Sequence, residues 1–428
     1  MLPRLRPKKF EDIIVSIAII RPGPIQGNMV HPYLRRRHGL ESVSYWHSAL
    51  EPVLQETLGV MLFQEQVLRT AMVLAGFSAG EADLLRRALS RSKPGAEMER
   101  LRVRFVEGAA GKGIDAPAAD AVFSQLAGYA GFGFCKSHSA SFALIAYQSL
   151  WLRHYFPAPY YCALLNEQPM GFYSPEVILG DARRHGVDLL PPNVHLSAWG
   201  YTVEHGNNGQ PALRTGLSAV KALGEAGYAQ LDAARQDTPF ADLRDLLWRS
   251  KLPKSTVANL IRAGALDAFG ERRQLLWELG ALEDVHDGFN VETPVMEVEL
   301  PHLEGLQRTV WEYELLGHSP DGQILRHYRD ELRAAGVLST WQVKHAAQQG
   351  QWVWVAGMVV VRQRPQTAKG IMFLSLEDES GLLDLVVKPD IYPSVRPVLQ
   401  ETLLIMTGGV VQKGEGVTSV LVGRMEEL

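Results

Sequence analysis

The segment WVWVAGMVVVRQRPQTAKGIMFLSLEDESGLLDLVV, residues 352–387, contains three apolar runs that are rich in β-branched residues. Runs of this kind, bounded by turn-forming residues such as those at 377–381, predict β-strands. A short helix near 392–399 and two further strands at 402–411 and 417–422 are predicted to follow. Three strands, a helix and two strands is the order of an OB-fold barrel, a frequent binder of single-stranded nucleic acid, although other small barrels share it.

Aromatic side chains are few in this predicted barrel: Trp352, Trp354, Phe373 and Tyr392. Strand alternation places Trp352 and Trp354 on the same face of their strand. That face is either part of a core or a platform on which bases stack, and the sequence leaves both interpretations open.

Two glycine-containing turns precede the barrel, and each is predicted to join a pair of short helices. The first pair spans 218–235 around Gly224, and the second spans 255–269 around Gly264. Such a turn lets a helix N-terminus present free backbone N–H groups to a phosphate, as helix–hairpin–helix modules do with the DNA backbone. The alternative is that both turns are ordinary connectors. The Cβ of Ala222 would hinder a phosphate, so the second turn is the stronger candidate.

Residues 1–165 are predicted to be mostly helical. Ser78 and Glu81 have the spacing of a capping box that starts a helix over 82–91. Further helices are predicted over 96–109, 116–130 and 139–155. With the C-terminal barrel, this pattern predicts a multidomain α+β protein. The predicted divisions are 1–165, 166–280, an acidic linker and helical connector at 281–350, and the barrel at 351–428.

Charge is unevenly distributed along the chain. The formal net charge of −4 alone argues against a nucleic-acid binder. Residues 1–165, however, hold 19 Lys and Arg against 13 Asp and Glu, whereas residues 281–335 hold 4 against 12. A helix with an apolar back and a guanidinium front suits a polyphosphate, because arginine stays charged and binds in a bidentate manner. Solvated helix faces are the alternative. The basic clusters lie at 35–38, 86–93 and 100–104.

The composition excludes several classes of protein. Two cysteines, Cys135 and Cys162, rule out a disulfide scaffold and a cysteine-based zinc cluster. No apolar run reaches the roughly 20 residues that a membrane span needs. The basic N-terminus lacks the apolar core of a signal peptide. The expected location is therefore the reducing cytoplasm, with no role at a membrane.

Long motifs in the chain resemble the bacterial family C DNA polymerases, the relatives of the polymerase III alpha subunit. Those in the first part are FEDIIVSIAIIRPGP (10–24), LGVMLFQEQV (58–67), ADLLRRALS (82–90) and GYAGFGFCKSHSASFALIAYQSLWLRHYFPAPY (128–160). LIRAGALDAFG (260–270) resembles the second helix–hairpin–helix of that family. The OB domain of that family resembles two segments, VRQRPQTAKGIMFLSLEDESG (361–381) and LVVKPD (385–390). The Arg-Gln-Arg-Pro and Thr-Ala-Lys-Gly residues of the first segment are similar to the error-prone, damage-inducible branch. The resemblance runs from about residue 5 to residue 428.

The resemblance implies a translesion DNA-directed DNA polymerase, which is a nucleotidyltransferase, with residues 1–165 as part of its fingers. Its substrate would be the incoming dNTP. The residues that match the family's nucleotide site are Arg86, Arg87, Lys93, Lys136, His138 and Ser139, with Ser137 in the same motif. His138 would act either as a general acid to the leaving pyrophosphate or as a structural cap of the helix that follows.

The resemblance also implies contacts with DNA in two places. The helix–hairpin–helix region would hold the duplex primer–template by its backbone, and the OB domain would lie near the single-stranded template. The candidate DNA-binding residues are Lys221, Gly224, Lys254, Gly264, Arg362, Arg364 and Lys369.

Phosphoryl transfer in this family depends on Mg²⁺ ions held by carboxylates of the palm. By the resemblance, those carboxylates precede the residues that match Phe10, so the chain is assigned no catalytic and no metal-binding residue. Asp378 and Glu283-Asp284 are the substitutes considered, and both are interpreted as solvated turn or linker residues. The loosely clustered histidines, which lack metal-ligand spacing, are His31, His38 and His47.

We therefore expect the C-terminal part of an error-prone polymerase, inactive by itself. It is either a truncated chain or one half of a split gene, and in the second case an upstream polypeptide would supply the palm. A sliding clamp or a damage-response accessory protein remains open as a further partner. The alternative is a non-catalytic DNA-binding or scaffold protein that keeps the helix–hairpin–helix and OB modules. An adjacent upstream reading frame that carries the palm aspartates would favour the first interpretation.

Overall fold

A computed structural model describes residues 2–20, 30–89, 96–130, 134–206, 209–236, 238–282, 300–365, 368–414 and 416–428. The chain divides into two compact units, Met1–Trp151 and Leu152–Leu428. The first is helical, and the second combines helices, a small sheet and a closed β-barrel. The predicted multidomain α+β class is confirmed. Among the described residues, no helix combines the length and apolarity needed to cross a membrane.

The first unit is built from α-helices joined by short connectors. Their bounds are α1 Leu2–Leu5, α2 Phe10–Ile19, α3 Val30–Arg37, α4 Glu51–Leu54, α5 Gln64–Ala75, α6 Ala79–Leu89, α7 Ala96–Ala110, α8 Ala116–Ala130 and α9 Lys136–Tyr155, whose last turn enters the second unit. Helices α5 to α8 share a core in which the Phe105 ring lies 6.0 Å from Phe77 and 5.5 Å from Phe123. Apolar residues of α1 to α3 form a separate core with Leu62 and Phe63.

The predicted capping box is present at the start of α6. The Ser78 N–H donates to Glu81 Oε2 at 2.8 Å, and the Glu81 N–H donates to Ser78 Oγ at 3.3 Å. Because these bonds satisfy the first amides of the helix, α6 begins at Ala79, three residues earlier than the apolar pattern predicts. Its last described residue is Leu89, and residues 90–95, which include Lys93, lie outside the described part of the chain.

The second unit begins with two helices and a three-stranded sheet. These are α10 Pro157–Asn166, α11 Pro175–Arg184, β1 Asp188–Leu190, β2 Thr202–His205 and β3 Pro211–Arg214, in the order β1-β3-β2. Strands β2 and β3 pair antiparallel. A layer of helices follows, and its bounds are α12 Gly224–Arg235, α13 Leu243–Ser250, α14 Lys254–Arg262, α15 Arg272–Ala281, α16 Gly305–Leu316, α17 Arg329–Ala334 and α18 Thr340–His345.

The two predicted helix pairs differ in detail from the structure. In the first, the segment before Gly224 forms only a 3₁₀ turn, Leu217–Ala219, and α12 is the one full helix. In the second, α14 ends at Arg262, and the next helix begins at Arg272 rather than directly after Gly264. The predicted second helix within 255–269 is therefore wrong.

The C-terminal barrel has the predicted order of elements. Its parts are β4 Trp352–Gln363, β5 Met372–Asp378, β6 Gly381–Val387, α19 Tyr392–Glu401, β7 Leu404–Gly414 and β8 Val417–Glu427. The strands close in the order β4-β5-β6-β8-β7, with β6 and β8 parallel and every other pair antiparallel. A register shift between Val359 and Val361 bends β4, so that this strand pairs with β7 before the shift and mainly with β5 after it.

Candidate functional site

Helix α6 presents Arg86 and Arg87 beside one carboxylate. Asp83 accepts from Arg86 at 2.8 Å through one oxygen and from Arg87 at 2.8 Å through the other. These contacts hold the pKa of Asp83 below its usual range, although burial opposes the shift. The Arg87 side chain remains 65% exposed. One carboxylate therefore orients two guanidinium groups without neutralising both.

The other candidate nucleotide residues lie in the first turn of α9. The Lys136 N–H donates to both carboxylate oxygens of Glu65 at 3.0 Å, and its Nζ pairs with Glu56. Helix α5, which carries Glu65, also packs against α6. The same helix thus supports the arginines of α6 and holds the start of α9.

His138 and Ser139 have different environments. His138 is exposed, and its ring lies between those of Phe134 and Phe142, with centroids 5.2 and 4.6 Å away. Ser139 is fully buried, and its hydroxyl donates to the Ile14 carbonyl at 2.5 Å. Ser139 therefore ties α9 to α2, and its hydroxyl faces the protein interior.

Several arginines of the predicted basic face are engaged within the unit. Arg37 pairs with Asp12 at 2.7 Å, and Arg36 pairs with Glu41 at 2.9 Å. Arg102 and Arg104 pair with acidic side chains of α8 and α6. These contacts show that much of the positive charge counted in the sequence stabilises helix packing.

The turn at the N-terminus of α12 is largely exposed. Lys221, Ala222 and Gly224 are exposed, and a Cβ at Gly224 would meet no atom within 4 Å. Gly224 has φ of +64° and Ala222 has φ of +67°, so both adopt the left-handed conformation. The Lys221 N–H donates to the Leu315 carbonyl at 3.0 Å and anchors the turn. An exposed acidic residue, Glu225, lies in the first turn and lowers its positive potential.

Gly264 has a different role from the one its sequence suggests. Its N–H donates to the Ile261 carbonyl at 3.0 Å, and the Ala265 N–H donates to the Leu260 carbonyl at 2.9 Å. With φ of +84°, Gly264 is thus the left-handed residue that closes α14. Above it lies the buried Arg272 guanidinium, which pairs with Asp267 and Glu312. The turn at Gly264 is filled by this arginine rather than open to a phosphate.

Alanine substitutions are expected to separate these two glycines. A Cβ at Gly264 would lie 2.2 Å from Arg272 Nη2, so Gly264→Ala should displace a buried ion pair and destabilise the protein by about 3–5 kcal/mol. Gly224→Ala meets no neighbour and should cost only the left-handed backbone strain, about 1–2 kcal/mol. Urea unfolding of both variants measures the difference. Equal losses of stability in the two variants would contradict the assignment of Arg272 to the space above Gly264.

The basic residues of the barrel are placed in distinct ways. The Arg362 guanidinium donates to the Leu399 and Thr402 carbonyls and so caps the end of α19. Arg364 lies over the Tyr392 ring, 4.6 Å from its centroid. Lys369 is exposed, with φ of +51°. In the helical layer, Lys254 donates through Nζ to the Leu282 carbonyl after α15.

Exposed aromatic rings lie on two sides of the barrel. Phe373 on β5 is 40% exposed and lies between Gln363 of β4 and Val386 of β6. Trp352, 48% exposed, lies over two glycines: a Cβ at Gly423 would meet its ring at 2.6 Å, and one at Gly408 at 3.1 Å. Trp354 packs outside the barrel with the cluster of Ile324 and Val337, so the two tryptophans do not belong to the barrel core.

Asp378 is not the solvated turn residue that its sequence context suggests. It is 1% exposed and accepts hydrogen bonds from the backbone and hydroxyl groups of Thr340 and Ser380 and from the Gly381 N–H. Arg329 Nη2 also donates to it at 3.1 Å. Asp378 therefore fastens α17 and α18 to the barrel. Glu283 and Asp284 lie outside the described residues.

The buried arginine–carboxylate pairs are not visible in the sequence pattern. Arg272 with Glu312 and Arg329 with Asp378 bring together residues 40 and 49 positions apart. Residues so far apart in the sequence form no local pattern that predicts their pairing. Arginines and carboxylates are also common on the protein surface, so their presence alone does not indicate a buried pair. Across the described residues, no group of three or more His, Cys, Asp or Glu side chains is arranged to hold a metal ion.

Three parts of the chain match models of known protein families. Residues 1–113 match the bacterial DNA polymerase III alpha subunit finger domain. Residues 186–276 match the helix-hairpin-helix motif, and residues 353–428 match the OB-fold nucleic acid binding domain. Together with the fold, these matches place the chain among proteins that combine a polymerase finger domain with helix-hairpin-helix and OB-fold modules.

Curated relatives extend the match over the whole chain. The error-prone DNA polymerase of Anaeromyxobacter sp. (strain K) is 42% identical over 438 residues, which cover 100% of this chain and 39% of that protein. That of Pseudomonas aeruginosa is 41% identical over 100% of this chain and 42% of its own length. Error-prone DNA polymerase 2 of Rhizobium meliloti is 42% identical over 97% of this chain and 40% of its own length. The chain belongs to this polymerase family and matches the C-terminal part of these relatives, about two fifths of their length.

Proposed function

We propose that this chain supplies the nucleotide-binding, duplex-binding and template-binding parts of an error-prone DNA polymerase. The observation that carries the proposal is the match of the whole chain, at 42% identity, to a relative of that name. The three modules, which occur in order along the chain, support it. Primer extension with a polypeptide that carries the remaining part of a relative tests it.

The incoming dNTP would be bound through its triphosphate by Arg86 and Arg87. Arginine pairs suit this ligand because each guanidinium binds two phosphate oxygens at once and stays charged. The exposure of Arg87 and the contact of both arginines with Asp83 support this assignment. Lys136, beside the exposed His138, would assist once Nζ leaves Glu56. The buried hydroxyl of Ser139 is not part of this proposal.

Duplex DNA would be held at the N-terminus of α12. The open space above Gly224 and the exposed Lys221 favour contact with a backbone phosphate there rather than at Gly264. Such contacts bind DNA without reading its sequence. This property suits a polymerase, which must accept any primer–template.

The single-stranded template would contact the barrel at Phe373, with Arg364 and Lys369 nearby in sequence at the β4–β5 connection. Base stacking on one aromatic ring contributes about 1–3 kcal/mol. Phe373→Ala should therefore weaken binding of an oligothymidylate by about tenfold. Trp352→Ala removes an equally exposed ring on the other side of the barrel and serves as the control. Fluorescence anisotropy measures both, and a larger loss in the Trp352 variant would contradict the proposed face.

Phosphoryl transfer would depend on Mg²⁺ held by carboxylates of another polypeptide segment. The described residues of this chain do not form a suitable cluster, so no metal-dependent step is assigned to them. Mg²⁺ would neutralise the developing charge on the transferred phosphate when bound to that segment. The residues proposed here bind and orient the dNTP and the DNA.

An apolar face on α9 supports a protein partner for this chain. Phe142, Ile145 and Leu150, which share one side of the helix, are 47%, 56% and 49% exposed. Exposed apolar patches of this kind mark contact surfaces. Roughly three fifths of the length of each of these curated relatives lies outside the match. We assign this face to the polypeptide segment that carries the metal-binding carboxylates.

The charge substitution Ile145→Asp tests the α9 face. It should abolish co-purification with that polypeptide, because burying an unpaired carboxylate in an apolar contact is unfavourable. The melting temperature of the chain alone should not change, since Ile145 is exposed. Co-purification at the wild-type level would reject the assignment.

A non-catalytic DNA-binding or scaffold protein is the second candidate function. The helix-hairpin-helix and OB modules favour it, because they bind nucleic acid without the fingers. In that case, primer extension with the complementing polypeptide would fail although DNA binding is intact.

A further inference from the structure

Two adjoining cavities lie in the first unit among α2, α3, α4 and α5. Their volumes are about 480 and 420 Å³, within the usual range of small-ligand sites. Both are lined by Lys9, Asp12 and Arg37. Neither cavity is lined by Arg86, Arg87, Lys136 or His138, the residues proposed for the dNTP.

The floor shared by the cavities is an internally satisfied ion pair. Arg37 donates through Nη1 and Nη2 to the two oxygens of Asp12, at 2.7 and 2.8 Å. The Lys8 and Lys9 N–H groups donate to the same carboxylate at 2.7 and 3.1 Å. Burial alone would raise the pKa of Asp12, but these hydrogen bonds lower it to about 2. Asp12 thus neutralises Arg37. The pair has no net charge that could balance the charges of the other lining residues.

Four basic side chains on the walls lack a counterion among the residues that the structure describes. Arg6, Lys8, Lys9 and Arg69 line the cavities, are exposed, and form no ion pair with any described residue. The other lining carboxylate, Glu56, pairs with Lys136. Like charges gathered in a concave site repel one another unless an anion enters.

Neutral hydrogen-bond donors complete the walls of the larger cavity. Tyr33 and Gln55 line it together with Lys9 and Arg69. The Tyr33 hydroxyl keeps its proton at physiological pH, and burial raises its pKa further. Cations and neutral donors lining the same cavities match an anion with many oxygens and several charges.

We propose that these two cavities form a phosphate-binding site, separate from Arg86 and Arg87, that takes either a polyphosphate chain or the phosphates of a DNA strand. The ammonium groups of the lysines and the guanidinium groups of the arginines would contact the phosphate oxygens. Lys9 lines both cavities and could therefore contact a ligand in either one. The site does not depend on polymerase activity, and binding to the purified chain is sufficient to measure it.

The test compares two double variants of the full 428-residue chain, each made in an Arg86→Ala/Arg87→Ala/Phe373→Ala background that removes the contacts proposed above for both probes and that serves as the wild type of this comparison. Lys9→Ala/Arg69→Ala removes two unpaired cations of the cavity walls, and Arg35→Ala/Arg100→Ala removes two exposed cations outside both linings. Isothermal titration uses sodium tripolyphosphate in one arm and a short oligothymidylate in the other. The cavity variant should bind at least one probe about tenfold or more weakly than wild type, and the control should stay within about twofold.

The two arms identify the source of the phosphate. Loss of tripolyphosphate binding indicates a polyphosphate chain such as that of a nucleotide, and loss confined to the oligonucleotide indicates a DNA strand. Wild-type affinity of the cavity variant for both probes overturns the proposal, and so does an equal loss in the control. Both variants alter exposed side chains, and matching circular dichroism melting curves verify that they fold. Failure of this test would leave primer extension, and thus the proposed function, unaffected.

Discussion

Asp378→Ala is expected to destabilise the second unit by about 3–5 kcal/mol, the usual effect of breaking a buried charged pair. The substitution leaves the Arg329 guanidinium without one of its carboxylates and removes the acceptor for Thr340, Ser380 and Gly381. These donors lie at a buried position, so they cannot all turn to water. Urea unfolding followed by tryptophan fluorescence measures the loss.

A matched control for Asp378→Ala lies directly after Arg329, the arginine that pairs with Asp378. Asp330 is 93% exposed and pairs only at the surface with Arg333. Asp330→Ala should change the unfolding free energy by no more than about 0.5 kcal/mol. If Asp378→Ala behaved like this control, Asp378 would not fasten α17 and α18 to the barrel.

Arg86→Ala/Arg87→Ala should lower kcat/KM for dNTP incorporation about a hundredfold or more, because it removes both proposed contacts with the triphosphate. Fold stability should not change measurably, since both arginines pair with Asp83 at the protein surface. The measurement is single-nucleotide primer extension by the chain with its complementing polypeptide, over a range of dNTP concentrations.

The control for the arginine pair is Arg100→Ala, which removes an exposed guanidinium from the neighbouring α7. It should leave kcat/KM within about twofold of wild type. An unchanged kcat/KM in the double variant would show that α6 does not contact the triphosphate. A loss confined to DNA affinity would move its role from the nucleotide to the primer–template.

The parts of the fold that follow from local sequence are the parts that were predicted well. The capping box at Ser78 and Glu81 needs only residues three positions apart. Each barrel strand corresponds to a short apolar run between turns. The order of the strands along the chain could therefore be predicted without knowing which strands pair. The start of α9, at Lys136, was predicted within three residues for the same reason.

The parts that were predicted poorly depend on distant residues. Gly264 looks like a hairpin glycine in sequence, but the Arg272 side chain fills the space above it. Asp378 looks like a turn carboxylate, but Thr340 and Arg329 bury it from segments 38 and 49 residues earlier. Ser139 lies in a motif that resembles a nucleotide site, yet its hydroxyl bonds to the Ile14 carbonyl. In each case, a tertiary partner decides the role of the residue.

The most direct measurement is primer extension with Mg²⁺ and dNTPs in two parallel reactions. One contains the purified chain alone, and the other adds a polypeptide with the part of the Pseudomonas aeruginosa error-prone DNA polymerase that this chain does not match. We expect no extension by the chain alone and extension when the two are combined, because nucleotide binding and the metal-binding carboxylates then meet in one complex. Extension of the primer by the chain alone would contradict this account.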